Sequence, residues 1–500
     1  MADSNGFLGL STESRGLATY LLATGVLLAT FVLYRAYFDR LQNVPGPLIC
    51  RLTSLLDWYH SYIGDESKWI DTLHAKYGPI IRIAPNEVVI SEGQALAPIY
   101  SEKGGFLKAP CYKNFDSEGH ETIFSALDPK HRAVRSKAVM PMFSTANLRA
   151  RSDAIEGCVN DLVERLKKEA NQSRLAAKET GKPSPVNVLQ MSRRLAIDAV
   201  CSYLFGLQYG GVHEQSTKLS ASNYVDSIVA FGRFFFLPTW LFQPILLISE
   251  YLQPPDAQSQ ESVEGFTKPL VSTSQESDNT YQSRLLKAGI TEHETDVQMK
   301  DVIFAGTDTT GTNFGSLLFQ LAKHPDIHAT LREEILTAEK EDPEYNPQNL
   351  KYLDAVLREG LRTSMANPTR FPRQVPPQGF LYTSPSTTKT YSLPSGTLVG
   401  LSPYTLHLNP AVFPDPHAFK PERWLDDRAT PEMYRDWIPF GLGPRQCIAR
   451  NLAMVELCLA TRAVVRSGVL EGARPVEERL EVLEWFNAKV KGERIDLVWD

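Results

Sequence analysis

The chain has no CxxC pair and no CxxCH pattern for covalent cofactor attachment; its six cysteines, at 50, 111, 158, 201, 447 and 458, lie far apart. A 500-residue chain does not need disulfides to hold a core, so dispersed cysteines predict reduced thiols facing the cytosol. Basic excess is also missing: the formal net charge is −6, which argues against a nucleic-acid partner, because nothing in bulk would neutralise phosphates. Internal repeats are absent. What is present is 43% hydrophobic and 22% charged residues, the balance of a folded protein with a large core.

One long apolar run occurs, Leu17 to Tyr34, without a charge. Eighteen helical residues span about 27 Å, close to a bilayer's hydrocarbon core. Arg35, Arg40 and Arg51 follow it, and no A-x-A-like cleavage site does. An anchor is therefore favoured over a cleaved signal, with the rest of the chain cytosolic by the positive-inside rule. Pro45-Gly46-Pro47 punctuates the end of that segment. The expected organisation is an anchor over residues 1–44 and one catalytic body over 45–500.

Helical periodicity dominates the body, near 130–168, 187–206, 294–323, 326–341, 350–364 and 448–466. Short strands are expected at Ile80–Ile83 and Glu87–Ile90, flanking Pro85-Asn86, and at Gly379–Thr383 and Thr397–Leu401. The polar stretch Pro254–Ser283 reads as a surface loop. The fold class is mainly α with a small β-sheet.

Phe440-Gly-Leu-Gly-Pro-Arg-Gln-Cys447-Ile-Ala449 cannot be a helix interior, since Gly441, Gly443 and Pro444 force an irregular turn. An apolar helical run begins directly after it. Cys447 thus stands at a helix start, where free N–H groups favour a thiolate, and Arg445 adds positive charge. A lone cysteine before a helix is usually a buried thiol; the register with Phe, two Gly and Arg distinguishes this one.

This loop resembles the haem-binding loop of the cytochrome P450 superfamily, F-x-x-G-x-R-x-C-x-G. Phe440, Gly443, Arg445 and Cys447 match, and Ala449 departs from the final Gly. Three further segments resemble that family in the expected order. Glu359-Gly-Leu-Arg362 and Arg423, in Phe419–Trp424, resemble its structural E-x-x-R and P-E-R-W elements. Ala305-Gly-Thr-Asp-Thr-Thr310 lies in a helix expected to start with a capping box at Thr291 and to run about 50 Å to Pro325. It resembles the family's oxygen-binding groove, with Asp308 and Thr309 implied as the proton-handling pair. Its glycine and threonines suggest a locally opened helix. His131 and Arg135, four apart, resemble a W-x-x-x-R pair with His for Trp; with Arg373 and Arg445 they are implied donors to the haem propionates.

The resemblance implies heme b with axial Cys447, with Phe440, Gly441 and Ala305 beside it. It implies a monooxygenase that inserts one oxygen atom of O2 into a hydrophobic small molecule. Electrons from NADPH come through a separate NADPH-cytochrome P450 reductase, because the chain has no room for a flavin domain. The layout suggests secondary-metabolite biosynthesis on a polyketide, terpenoid or alkaloid scaffold, at the endoplasmic reticulum membrane. Tyr112–Phe124, Val225–Trp240 and Ala366–Phe371 are expected around the substrate. Two alternatives stand open: an isomerase or dehydratase on the same scaffold, and a non-catalytic haem sensor.

Overall fold

Ile80–Ala84 (β1) and Glu87–Ile90 (β2) form the expected antiparallel hairpin across Pro85-Asn86, and every residue in both strands is buried. Leu107–Lys108 (β3), Arg373–Gln374 (β4) and Leu398–Gly400 (β5) complete a five-stranded sheet in the order β1-β2-β5-β4-β3. Only β2 and β5 run parallel. The structure, a computed structural model, describes residues 12–252, 256–275 and 277–499.

Eight helices matter for the site. They are α1 (Thr12–Tyr37), α2 (Pro129–Val139), α3 (Val188–Val200), α4 (Ser222–Phe231), α5 (Ala257–Ser272), α6 (Glu292–Lys323), α7 (Lys351–Ser364) and α8 (Arg450–Arg466). A late hairpin, Val482–Leu483 (β6) with Lys489–Val490 (β7), carries Trp485, Phe486 and Asn487 at its tip.

α1 contains a stretch, Gly16–Arg35, long and apolar enough to cross a membrane, and none of it is buried. The expected border at residues 44 and 45 cuts through packed side chains. Leu41 and Val44 are 2% and 1% exposed in the sheet's core, and buried Asp39 pairs with buried Arg82 at 2.6 Å. Contact with the body therefore starts before residue 44, with Arg35 reaching the Pro85 carbonyl at 3.4 Å and Asp39 at 3.2 Å.

The expected helix over 130–168 is divided, because Pro141 follows α2 and a new helix, Asp153–Thr180, starts afterwards. The stretch expected to be a loop is largely helix α5. Its polar residues are the wet face of an amphipathic pattern, with Ser259, Val263, Thr267 and Val271 buried at four-residue spacing. Asp256 caps it, accepting from the amides of Gln258 and Ser259.

α6 runs 32 residues through the core without a break, so its glycines do not open it. They let α3 approach instead. A Cβ on Gly306 would meet Val200 at 2.7 Å, and one on Gly311 would meet the Arg193 side chain at 2.6 Å. Thr291 caps α6 by accepting from Glu294 N, but the reciprocal half of the capping box is missing. The Glu294 carboxylate is bonded to Arg135 instead.

Candidate active site

The middle of α6, the start of α8 and the β3–β4 edge enclose a cavity of about 270 Å³. On one side stand Ala305 and Thr309, which are separated by one helical turn. The Thr309 hydroxyl donates to the Ala305 carbonyl at 2.7 Å. Its lone pairs remain free to accept from the cavity.

The cysteine loop lines the same cavity. Gly441 and Gly443 have φ of 68° and 75°, values that favour glycine. Gly443 has a second reason: a Cβ there would sit 1.9 Å from the Tyr100 carbonyl oxygen. The loop closes on itself as Cys447 N donates to Phe440 O at 2.9 Å. Phe440, Gly441, Arg445, Cys447 and Ala449 all line the cavity. Cys447 is exposed only to the cavity, and its enclosure there pushes the thiol up to about 11 against the opposing pull of the Ala449 amide and the Arg450 charge. The other five cysteines are buried in the core. Ala449 has φ −90° and ψ 13°, a conformation any residue adopts, so this position makes no conformational demand for glycine.

Four cations converge on this loop: Lys108, Arg132, Arg373 and Arg445. Lys108 and Arg373 face each other directly across β3 and β4, a pairing of like charges that disfavours the sheet by itself. Lys108 donates to Phe124 O at 2.6 Å and Arg132 to Ile123 O at 3.2 Å. Arg373 donates to the Tyr112 hydroxyl at 3.1 Å, and Arg445 to Ala126 O. None has a carboxylate partner among the described residues. Burial holds Lys108 well below its ordinary value, with Arg445, Arg373 and Arg132 adding repulsion. Arg445 is lowered to about 10, first by burial and then by Arg132 and Arg373.

Three residues expected at the site are elsewhere. His131 turns toward Glu121, 4.0 Å away, and Arg135 is bonded to Glu294, so neither reaches the cavity. On α2, Arg132 takes the inward face. Asp308 is buried but does not line the cavity either. Its carboxylate accepts from Arg193 at 2.7 Å and from Asn487 at 3.0 Å, because its side chain points toward α3. Arg193 also holds Asp226 on α4 at 2.8 Å.

Around the expected substrate region, Tyr112, Phe115, Ile123, Phe124, Ala366 and Phe371 line the cavity. Residues 225–240 do not. Phe235 packs edge-on behind Tyr112, and Trp240 is 74% exposed on the outside. Lys108, Phe486 and Asn487 were without a local sequence signal.

Away from the cavity, Glu359 and Arg362 are both fully buried and doubly bonded, at 2.8 and 2.9 Å. Arg423 joins at 3.0 Å, and Arg362 also donates to the carbonyls of His407 and Pro416. This cluster fixes α7 against the segment leading to the cysteine loop.

The profile of the family Cytochrome P450 matches residues 45–471. The chain belongs to the cytochrome P450 family. A cytochrome P450 monooxygenase of Annulohypoxylon moriforme is 40% identical, covering 95% of this chain and 98% of its own. Another, from Aspergillus niger, is 26% identical over 89% and 90%. A crystal structure of a cytochrome P450 shares the fold at a TM-score of 0.68 and 18% identity, covering 91% of this chain and 98% of that one.

The P450 family carries haem iron on a cysteine thiolate, and the residues here fit that group. Cys447 is the one cysteine facing the cavity among the described residues. The four unpaired cations supply what a dianionic macrocycle edge requires. As a P450 monooxygenase the protein is an oxidoreductase that uses O2, a substrate and a redox partner.

Proposed function

We propose that this P450 is a membrane-attached monooxygenase of secondary metabolism that oxidises a hydrophobic small molecule with a polyketide, terpenoid or alkaloid skeleton. Its cofactor would be heme b, held through the thiolate of Cys447. Arg132, Arg373, Arg445 and Lys108 bind the propionates. α1 inserts in the endoplasmic reticulum membrane with the body in the cytosol, where an NADPH-cytochrome P450 reductase supplies electrons. The apolar cavity and the fungal monooxygenases similar in sequence support this reading. The observation that carries it is that Thr309 and Cys447 line one and the same cavity.

Haem on a thiolate supplies reductive activation of O2 and transfer of one oxygen atom, the other leaving as water. The chain's own residues do the rest. Ala449 N–H and the Arg450 charge favour the anionic form of Cys447 against burial. The Thr309 hydroxyl donates its hydrogen to the Ala305 carbonyl, so its oxygen is left to accept from a water in the cavity and to hold that water's second hydrogen at one place on the wall. Asp308 acts indirectly, as an anchor of the α6–α3 contact through Arg193. Phe115, Ile123, Phe124 and Phe486 exclude bulk water from that wall.

The test is the reduced carbon monoxide spectrum. Wild type and Cys458→Ser should show the red-shifted Soret band of thiolate-bound haem, and Cys447→Ser should lose it together with product formation. A band that persists in Cys447→Ser refutes the assignment. NADPH consumption without any oxygenated product from a matched substrate would move the isomerase or sensor readings ahead.

A further inference from the structure

Arg373 lines the cavity, and Arg370, three residues earlier, does not. The Arg370 side chain is fully buried and donates to three carboxylates at once. Its Nε reaches Glu87 of β2 at 2.8 Å, and its Nη2 reaches Asp57 of the helix Leu55–Ile63 at 2.9 Å. Its Nη1 is bonded to Glu66, the first residue of the helix Glu66–Tyr77. Asp57 and Glu66 are themselves buried. The Phe236 ring covers the guanidinium, with its centroid 3.6 Å away.

Three carboxylates on one guanidinium leave two negative charges in excess if all are ionised. The neighbouring cations are committed elsewhere. Arg51 donates to the Gln42 carbonyl, Arg82 pairs with Asp39, Lys68 with Glu484 and His60 with Asp65, and Arg233 stacks on Trp485. His74 is bonded to Gly78 O, and Asp71 interacts with His417. Two thiols face the cluster, Cys50 toward Asp57 and Cys111 toward Glu87 and Arg370; burial raises both, so they stay neutral. Among the described residues nothing donates to Asp57 Oδ1 or Glu66 Oε2, although both atoms are buried. A bare anionic oxygen is costly in such a place, whereas a protonated one carries no charge to desolvate. Burial raises the Asp57 carboxyl to about 7 and that of Glu66 to about 8, with Arg370 opposing it and the neighbouring carboxylates adding to it.

The cluster joins two early helices and β2 to segment 366–373, in which Ala366, Asn367, Phe371 and Arg373 line the cavity. We propose that Asp57, Glu66, Glu87 and Arg370 form a proton-loaded latch, which fixes this part of the cavity wall and opens when its protons leave to water. The folded protein holds protons here that the unfolded chain gives up at about pH 4. The stabilisation is therefore complete at acid pH and is lost as pH rises through about 7 and 8, the two carboxyls titrating as a pair. Above that window the surplus charge around Arg370 pushes the helices, β2 and the wall segment apart.

Full-length, haem-loaded Asp57→Asn and Glu66→Gln are compared with wild type at pH 6 and pH 8.5. Each amide keeps the shape of the protonated acid and cannot become an anion. Any fixed cost of the amide cancels when one pH is subtracted from the other. At one scan rate, wild type should lose about 3–5 °C more of its melting temperature between the two pH values than either variant does. Hydrogen exchange, corrected for intrinsic rates, locates the change. In wild type, protection in segments 55–63 and 366–373 should fall at least tenfold from pH 6 to pH 8.5 while α8 holds, and in the variants it should fall less than threefold. Variants that lose as much stability as wild type over this range, or that fail to fold at pH 6, show that Arg370 needs these groups as anions and overturn the proposal. A loss of protection spread evenly over α8 and the latch overturns it as well.

Discussion

Replacing Glu359 by alanine should unfold the protein's centre without touching the cavity. Its carboxylate accepts from Arg362 Nε and Nη2, Arg423 Nε, Trp424 Nε1 and Lys420 N, all at 2.8–3.0 Å. Burial alone would raise this carboxyl; Arg362 and Arg423 outweigh it and hold it below the usual range. Alanine leaves Arg362, itself fully buried, with its charge uncompensated. Breaking one side of a buried pair costs about 3–5 kcal/mol, a large share of the roughly 5–15 kcal/mol that stabilises a domain. At about 2 °C per kcal/mol for a large domain, the apparent melting temperature should fall by about 8 °C. Glu359→Gln should lose nearly as much, since its amide keeps one acceptor and no charge. Lys351→Ala, which breaks a pair with both side chains over 70% exposed, is the control and should stay within about 0.5 kcal/mol. Melting at one scan rate, with haem content by absorbance, is the assay. An alanine variant within about 1 kcal/mol of wild type, or one that loses haem without any change in melting, refutes the reasoning.

Thr309→Ala should leave the carbon monoxide band and melting intact but raise hydrogen peroxide per NADPH consumed; full coupling would exclude the hydroxyl as the group that positions the proton-donating water. Asp308→Ala should differ, lowering stability by about 1–3 kcal/mol because Arg193 keeps only Asp226, and a variant as stable as wild type would contradict that. Gly443→Ala must move the cysteine loop off Tyr100, so haem content should drop at least severalfold, and normal loading would show that the contact yields. Two buried imidazoles make acid weaken the fold, opposed by buried Glu456, whose carboxyl is raised to about 8 and takes up a proton on folding. Burial lowers His74 to about 4 and His407 to about 3, so both stay neutral when folded, and the unfolded chain takes up their protons first. Their stabilisation is present above about pH 6.5 and is lost below it, about 3 kcal/mol in all between pH 7.5 and 5.5. His407→Gln should remove about half of that slope; an unchanged slope sinks the attribution.

The Glu359–Arg362 pair, the cysteine loop and the β1–β2 hairpin were legible because each is written over a few consecutive residues. α2 shows where local pattern stops. His131, Arg132 and Arg135 are all basic and within one turn, so nothing nearby says which faces inward. The decision belongs to Glu294, 159 residues away, which engages Arg135. Asp308 was misplaced for the same reason: its partner Arg193 lies 115 residues earlier on another helix. The glycines of α6 were taken for weakness in a helix; they are its contact surface with α3.

The seating of the cysteine loop on Tyr100 has a consequence for biosynthesis. The Tyr100 hydroxyl bonds Phe371 O and Leu401 N, and its carbonyl abuts Gly443, so four distant parts of the chain meet there. Arg445 likewise reaches back 319 residues to Ala126, a stretch that a ribosome takes on the order of 15–60 s to make. During that interval the nascent body has its early segments but lacks the surface that completes them, while α1, made first, is already available to the membrane. Haem capture is consequently confined to the last stage of synthesis, after residue 447 has left the ribosome. A chain truncated before Arg445 lacks both Cys447 and one of the four cations that line the cavity with it.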